Sequence, residues 1–293
     1  MTDPTSKLGG DLPDATAVGS ETLVTRLDGA VLHVTLNRPE SRNAMSLRMV
    51  QELQTVLQQA EQGGAVRALV LRGAGGHFCA GGDIKDMAAA AARRRAMQSP
   101  AQAGDVPPAA DPIADVNARF GDLCVAYANT PLALVVVTEG TVMGGGFGLA
   151  CVADVTLASH TVVFRLPETA LGVVPAQIAP FLLERLGYSQ AKRLAVTGVR
   201  VGAEEALRIG LVHSVHAPEQ LDAALATVLA DILACAPRAL AATKALIAKA
   251  RWTPASELVT HAAAVFARAA QSSEGMEGTA AFLQKRKPNW ATS

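Results

Sequence analysis

Two glycine turns carry the first chemical signal in this chain. "FCAGGDI", Phe78 to Ile84, follows a β-branched run and precedes a helical pattern. "MGGGFG", Met143 to Gly148, stands in the same setting farther on. A strand-to-helix turn leaves backbone N–H groups without intrahelical partners, and the helix dipole favours negative charge there. Gly81 and Gly82 let the backbone turn tightly and let a ligand approach closely. Asp83 suits the cap of the helix that follows. Two such turns at the ends of neighbouring strands can aim two N–H groups at one oxygen, an oxyanion hole for an enolate or a tetrahedral intermediate. Either turn alone also reads as an ordinary structural piece of an α/β protein. The spacing does not fit a dinucleotide fingerprint, and "GGGFGLA" lacks the Lys-Ser/Thr ending of a phosphate loop.

A third candidate is Glu168, in "FRLPETALG". Phe164, Leu166, Leu171, Val173 and Val174 surround it in sequence. Desolvation by such neighbours would raise its pKa toward the range useful for proton transfer. Taken alone, the residue reads more simply as a surface glutamate. His33, His77, His160, His213, His216 and His261 form no metal-like spacing and no Ser-His-Asp arrangement, so packing or surface roles are expected. Cys79, Cys124, Cys151 and Cys235 are scattered, which points to free thiols rather than zinc ligands or disulfides.

The elements that must position these residues follow an α/β rhythm. "TLVTRL" and "VLHVTL" flank Asp28-Gly29, a hairpin signal. Ser46 caps a helix whose apolar positions run Val50, Leu53, Val56, Leu57 and Ala60, ended by Gly63-Gly64. "VRALVLRG" and "LALVVVTEG" read as strands buried on both faces. A helix is predicted through "IKDMAAAAARRRAM", and another from about Ile113 to Asn129. Between them the Pro- and Ala-rich "QSPAQAGDVPPAADP" cannot be helical throughout. "DVTLAS" and "TVVFRL" supply further strands. From about Ala179 onward the chain reads as nearly all helix, with Pro237 and Pro254 opening two of the helices.

Composition narrows the function classes. The 293 residues are 50% hydrophobic and 18% charged, ample for a packed core. Lys+Arg and Asp+Glu balance at 26 each, which argues against a global nucleic-acid or anionic-membrane surface. The polar, Gly/Pro-rich N-terminus shows no signal pattern, and "PLALVVVT" is too short to span a bilayer, so a cytoplasmic location is expected.

"LNRPESRNAMS", "GHFCAGGDIKDM", "GTVMGGGFGLACVADV" and "FRLPETALGVVP", in that order, resemble the crotonase family, the enoyl-CoA hydratases and isomerases. The resemblance covers about Thr22 to Trp290. It implies an α/β fold, a spiral of ββα units with an α-helical C-terminal region. The corresponding division is a flexible tail over 1–19, a core over 20–215 with an insertion at about 88–118, and a helical trimerisation region over 216–293. It implies a homotrimer or hexamer, an acyl-CoA substrate with water, no nucleic-acid or membrane partner, no metal and no further cofactor. The oxyanion donors implied are the N–H groups of Ala80 and Gly145, and Glu168 takes the place of a catalytic acid/base. The implied CoA-binding set is Arg38, Arg42, Ala44, Gly82, Asp83, Ile84 and Lys285, with cations for the phosphates.

One departure matters. Hydratases of this family commonly carry a second glutamate at the position of Gly148. Three alternatives stand in its place. Glu168 acts alone, which gives an isomerase; Glu139 or Asp86 reaches the water; or the substrate's own distal carboxylate helps. The segment "ETALGVVPAQIAPFLLERLG" resembles hydratases of glutaconyl-CoA derivatives, which implies isohexenylglutaconyl-CoA in acyclic terpene breakdown ahead of 3-methylglutaconyl-CoA in leucine breakdown. A non-catalytic binding scaffold is the rival from another class.

Overall fold

The computed structural model describes residues 18–97 and 111–291. The tail expected over 1–19 lies mostly outside them; Val18–Gly19 form strand β1, paired antiparallel with β2 (Leu23–Asp28). Of the expected insertion, 98–110 lie outside the described residues, and the rest is helix: α2 (Ile84–Met97) before the gap and α3 (Pro112–Asn129) after it.

A seven-stranded sheet has the order β1-β2-β3-β4-β5-β7-β10. β2 and β3 (Val31–Leu36) make the expected hairpin, with its turn one residue later at Gly29-Ala30 because Asp28 still pairs with Val31. α1 (Leu47–Gly63) then crosses over, so β4 (Ala68–Gly73) pairs parallel with β3. Ser46 caps α1 by accepting from Met49 N–H. β5 (Ala133–Thr138) and β7 (Val155–Ser159) continue the parallel arrangement, as does β10 (Ser214–His216). Every residue of β5 is buried, as a continuous β-branched run predicts. Leu53, Leu71, Tyr127 and Leu134 share one core, which also takes in Phe147. Val70, Val135, Leu157 and Leu225 share a second core with α7 (Leu221–Ala234).

A smaller sheet has the order β6-β8-β9. β6 (Thr141–Met143) leads directly into α4 (Gly145–Val152), and β8 (Val163–Arg165) lies beside it in parallel. The region after Ala179 is less uniformly helical than expected. α5 (Ala179–Thr197) and α6 (Ala203–Arg208) are interleaved with the short strand β9 (Val201–Gly202) and with β10. α8 (Pro237–Ala250), α9 (Ala255–Ala270) and α10 (Ser273–Leu283) complete the chain's helices. They leave Ile247, Val259, Phe266, Phe282 and Leu283 exposed.

Candidate active site

The two glycine turns touch. Cys79 N–H donates to Thr141 O at 3.1 Å, and Met143 N–H donates to Cys79 O at 2.9 Å, so the first turn is stitched to β6. Gly81 has φ +102°, a conformation L side chains rarely adopt. Gly144, at φ +49° and ψ −119°, is the other bend. A Cβ on Gly144 would lie 3.3 Å from Gly81 Cα and 3.1 Å from Glu168 Oε1. A Cβ on Gly146 would fall 2.6 Å from Cys79 Cβ. Side chains at these positions would drive the turns apart.

The direction of each amide follows from its peptide plane. Gly81 C=O accepts from Met45 N–H at 2.7 Å. A trans peptide sets C=O and N–H in opposite directions, so Gly82 N–H points away from Met45. Gly144 C=O accepts from Gly148 N–H at 3.1 Å in the first turn of α4. Gly145 N–H therefore points out of the helix N-terminus. Neither N–H has a hydrogen-bond partner among the described residues.

Ala80 differs. Its N–H donates to the Arg42 carbonyl at 2.9 Å, so this amide is already committed. The expected donor pair of Ala80 and Gly145 is corrected on that ground: Ala80 N–H is taken, Gly81 N–H is turned toward the Cys79 sulfur, and Gly82 N–H is left as the available amide. In an extended stretch successive peptides face opposite sides, with Cys79 facing β6 and Ala80 facing the Arg42 turn. The positive φ at Gly81 then redirects the following peptide. The Cys79 thiol between the turns is pushed up to about 11 by burial, which keeps it protonated.

β8 delivers the carboxylate. Gly144 N–H donates to Arg165 O at 3.3 Å, and three residues later Glu168 opens a short 3-10 turn, Glu168–Leu171. Glu168 Oε2 is shut off from solvent with no hydrogen-bond partner among the described residues. Burial raises the carboxyl's pKa above its ordinary value, opposed by a hydrogen bond from its own amide. The apolar neighbours expected to cause this divide. Phe164 and Leu166 are buried, whereas Leu171, Val173 and Val174 are 73%, 54% and 69% exposed. Those three are exposed, and the second glycine turn lies against the carboxylate, a Cβ on Gly144 falling 3.1 Å from Oε1.

The position expected for a second glutamate is crowded by side chains. A Cβ on Gly148 would lie 3.2 Å from Phe120 Cζ and 3.3 Å from Ile178 Cγ1. Phe120 also lies against Gly145, 3.2 Å from where its Cβ would be. The two proposed substitutes are engaged elsewhere. Asp86 Oδ2 accepts from Leu47 N–H at 2.7 Å, and Glu139 pairs with Arg72 at 3.8 Å.

The expected CoA-binding set separates. Arg38 turns inward: it pairs with Asp83 at 2.9 Å and donates to Ala44 O at 2.5 Å. Burial pushes the Asp83 carboxyl up, but Lys85 N–H and Arg38 outweigh it and hold the carboxyl below its usual range. Arg38 and Asp83 thus brace the turn, which corrects the reading of Arg38 as a phosphate cation. Arg42 is exposed at φ +50°, with no ion pair among the described residues, and Ile84 is 83% exposed. Lys285 is exposed after α10, and no hydrogen bond or ion pair among the described residues ties it to the turns.

Asn43 escaped the sequence reading. Fully buried at φ +57°, it donates to Ala74 O (2.9 Å) and His77 O (2.7 Å) and accepts from Arg38 N–H (2.9 Å). Its signal was an Asn in a turn, the residue type that best tolerates left-handed backbone. Phe120 and Ile178 carried no signal, since apolar residues in helical spacing read as core.

Comparison with known proteins adds four findings. Residues 31–231 match the family model described as enoyl-CoA hydratase/isomerase. The crystal structure of an enoyl-CoA hydratase/isomerase from Marinobacter aquaeolei superposes with a TM-score of 0.86 at 48% identity, covering 93% of this chain and 100% of that one. Pseudomonas aeruginosa AtuE superposes with a TM-score of 0.85 at 50% identity, covering 92% and 100%. Human enoyl-CoA hydratase domain-containing protein 2, mitochondrial, is 32% identical over 290 residues, 96% of this chain and 93% of that protein.

Proposed function

The chain belongs to the enoyl-CoA hydratase/isomerase family, with its crotonase fold, and from that premise we propose that it adds water across the conjugated double bond of an acyl-CoA. The observation that carries the proposal is the pair of peptides, Gly81–Gly82 and Gly144–Gly145. Both turn their carbonyls into the protein and leave their N–H groups without partners among the described residues, where the two turns meet Glu168.

The thioester oxygen sits between the Gly82 and Gly145 amides. They draw electron density from the β-carbon, and water adds there. The double-bond electrons collect on the thioester as an enolate held by the two donors. Glu168 takes the proton that water releases and returns it to the α-carbon, so the product gains H and OH and the glutamate ends as it began. Its desolvated carboxylate is a stronger base than an exposed one. The scheme needs only thioester, water and this chain. Arg42 is the candidate for a CoA phosphate.

For the acyl group we propose a branched glutaconyl-CoA, with isohexenylglutaconyl-CoA ahead of the 3-methyl compound. Phe120 and Ile178 fill the second-glutamate position, and Asp86 and Glu139 are engaged, which supports a substrate that brings its own carboxylate. The same observation favours one second reading, an isomerase in which Glu168 moves a proton between carbons without water. Incubating a non-conjugated enoyl-CoA and identifying the product separates the two.

Glu168→Gln tests the mechanism. Hydration, followed by ultraviolet loss of the conjugated thioester, is expected to fall at least 100-fold while CoA-ester binding persists; near-normal turnover would remove Glu168 from the chemistry. The exposed apolar residues of α8–α10 support assembly into trimers or hexamers. Light scattering is expected to give three or six chain masses, and a monomer at working concentration would refute it.

A further inference from the structure

Next to the apolar wall is a polar pair that the scheme above leaves unused. Gln177 Nε2 donates to Asn117 Oδ1 at 2.9 Å, and both residues are half-buried. Asn117, Phe120 and Gly121 lie three and four residues apart, on one face of α3. Phe120 packs on Gly145 and Gly148, and Ile178, the residue after Gln177, packs on Gly148 from the other side. The amide pair is therefore one helical turn beyond the wall that closes the second-glutamate position. The exposed Val173 and Val174 precede Gln177 by only a few residues.

The placement of Gln177 depends on a glycine. A Cβ on Gly121 would lie 2.3 Å from Gln177 Oε1 and 2.7 Å from its Cδ. Glycine is a poor residue inside a helix, and here it admits the Gln177 side chain against α3. Whichever way the two amides are oriented, their mutual hydrogen bond uses one of four side-chain N–H groups. Three donors remain without partners among the described residues.

We infer that Asn117 and Gln177 form an acyl-end subsite that holds a carboxylate carried by the substrate beyond its double bond. The inference rests on the enoyl-CoA reading above and extends it to the residues that select the acyl group. Convergent N–H donors bind a carboxylate through charge-assisted hydrogen bonds. A plain alkyl chain reaching the same place would strip water from these amides without replacing its hydrogen bonds, so the pair also selects against it.

The test compares kcat/KM for glutaconyl-CoA and crotonyl-CoA, whose acyl groups differ by a terminal carboxylate, in the wild type and in Asn117→Leu and Gln177→Leu. The wild type is expected to prefer glutaconyl-CoA. Each substitution should lower the ratio of the two kcat/KM values about 10- to 100-fold, mostly through KM, as expected for lost hydrogen bonds to a charged group. Asn117→Asp keeps the shape and sets a negative charge against the substrate's; it should lower the ratio at least as far, and it serves if a leucine variant does not fold. Gly121→Ala displaces the Gln177 amide without removing it and should lower the ratio by a smaller factor. Equal hydration of both esters by the wild type, or an unchanged ratio in the folded variants, overturns the subsite and leaves the enoyl-CoA reading standing. Hydration of neither ester overturns both.

Discussion

Replacing a single backbone amide by an ester isolates the donor assignment, because it removes one N–H and leaves the side chains alone. Installed at residue 82 through an α-hydroxy acid, the ester removes an N–H that has no partner among the described residues. Folding loses no donor at that site, although the Gly81 carbonyl, now an ester, accepts more weakly from Met45 N–H. The transition state loses one of two oxyanion donors, a loss typically about 100- to 1,000-fold in kcat, or about 2.7–4 kcal/mol. The same change at residue 80 has the opposite signature. It breaks the 2.9 Å bond to Arg42 O, which ties the first turn to the Asn43 loop. The expected cost is about 0.5–1.5 kcal/mol of stability, on the order of 2–4 °C in melting temperature per kcal/mol, with kcat within about threefold. The assay is steady-state hydration of one enoyl-CoA by both ester variants, with thermal melts of each. Loss of kcat at 80 with little change at 82 would refute the argument from the peptide planes. Equal large losses at both would mean that the turn's shape, and not a particular N–H, carries the activity.

Two more outcomes follow from the same geometry. Burial raises the Glu168 pKa, and the water-activating form is the carboxylate, so kcat should rise with pH through a limb lying above the ordinary glutamate value of about 4.3; the profile in Glu168→Gln should lose that limb, and a limb at or below the ordinary value would contradict the desolvation argument. Gly148→Glu should not speed the native reaction. Its side chain must displace Phe120 or Ile178 at an overpacking cost of about 1–3 kcal/mol, read from chemical denaturation. A faster and equally stable variant would show that the wall yields.

Much of this was open to inspection in the chain itself. Ser46, Gly64, Asp28-Gly29 and the leading prolines mark where elements begin and end, because capping and turn formation depend on one or two local residues. The buried strands declare themselves by composition. The two glycine turns and Glu168 are ordinary when taken singly, and only the ordered motifs of the family resemblance mark them out. Other features were illegible for physical reasons. Arg38 reads as a free cation until Asp83, 45 residues away, is found against it. Leu171, Val173 and Val174 read as a desolvating shell, yet are exposed, because a single four-residue turn and the loop after it are too short for a repeating pattern to assign faces.

The sequence by itself determined the residue types: two glycine turns, a glutamate at 168 and a glycine at 148. Local pattern marks the turns, whereas the roles expected of positions 168 and 148 come from the resemblance to the crotonase family. Only the tertiary structure decided which amide is free. Ala80 and Gly82 are two residues apart with the same kind of N–H, and the difference lies in a carbonyl of the Arg42 turn that reaches one and in the Met45 contact that turns the other outward. It also decided that the gap left at Gly148 is filled, since Phe120 and Ile178 come from α3 and from the loop before α5. Hydrogen-bond direction and space filling are set between segments distant along the chain, where no spacing rule applies.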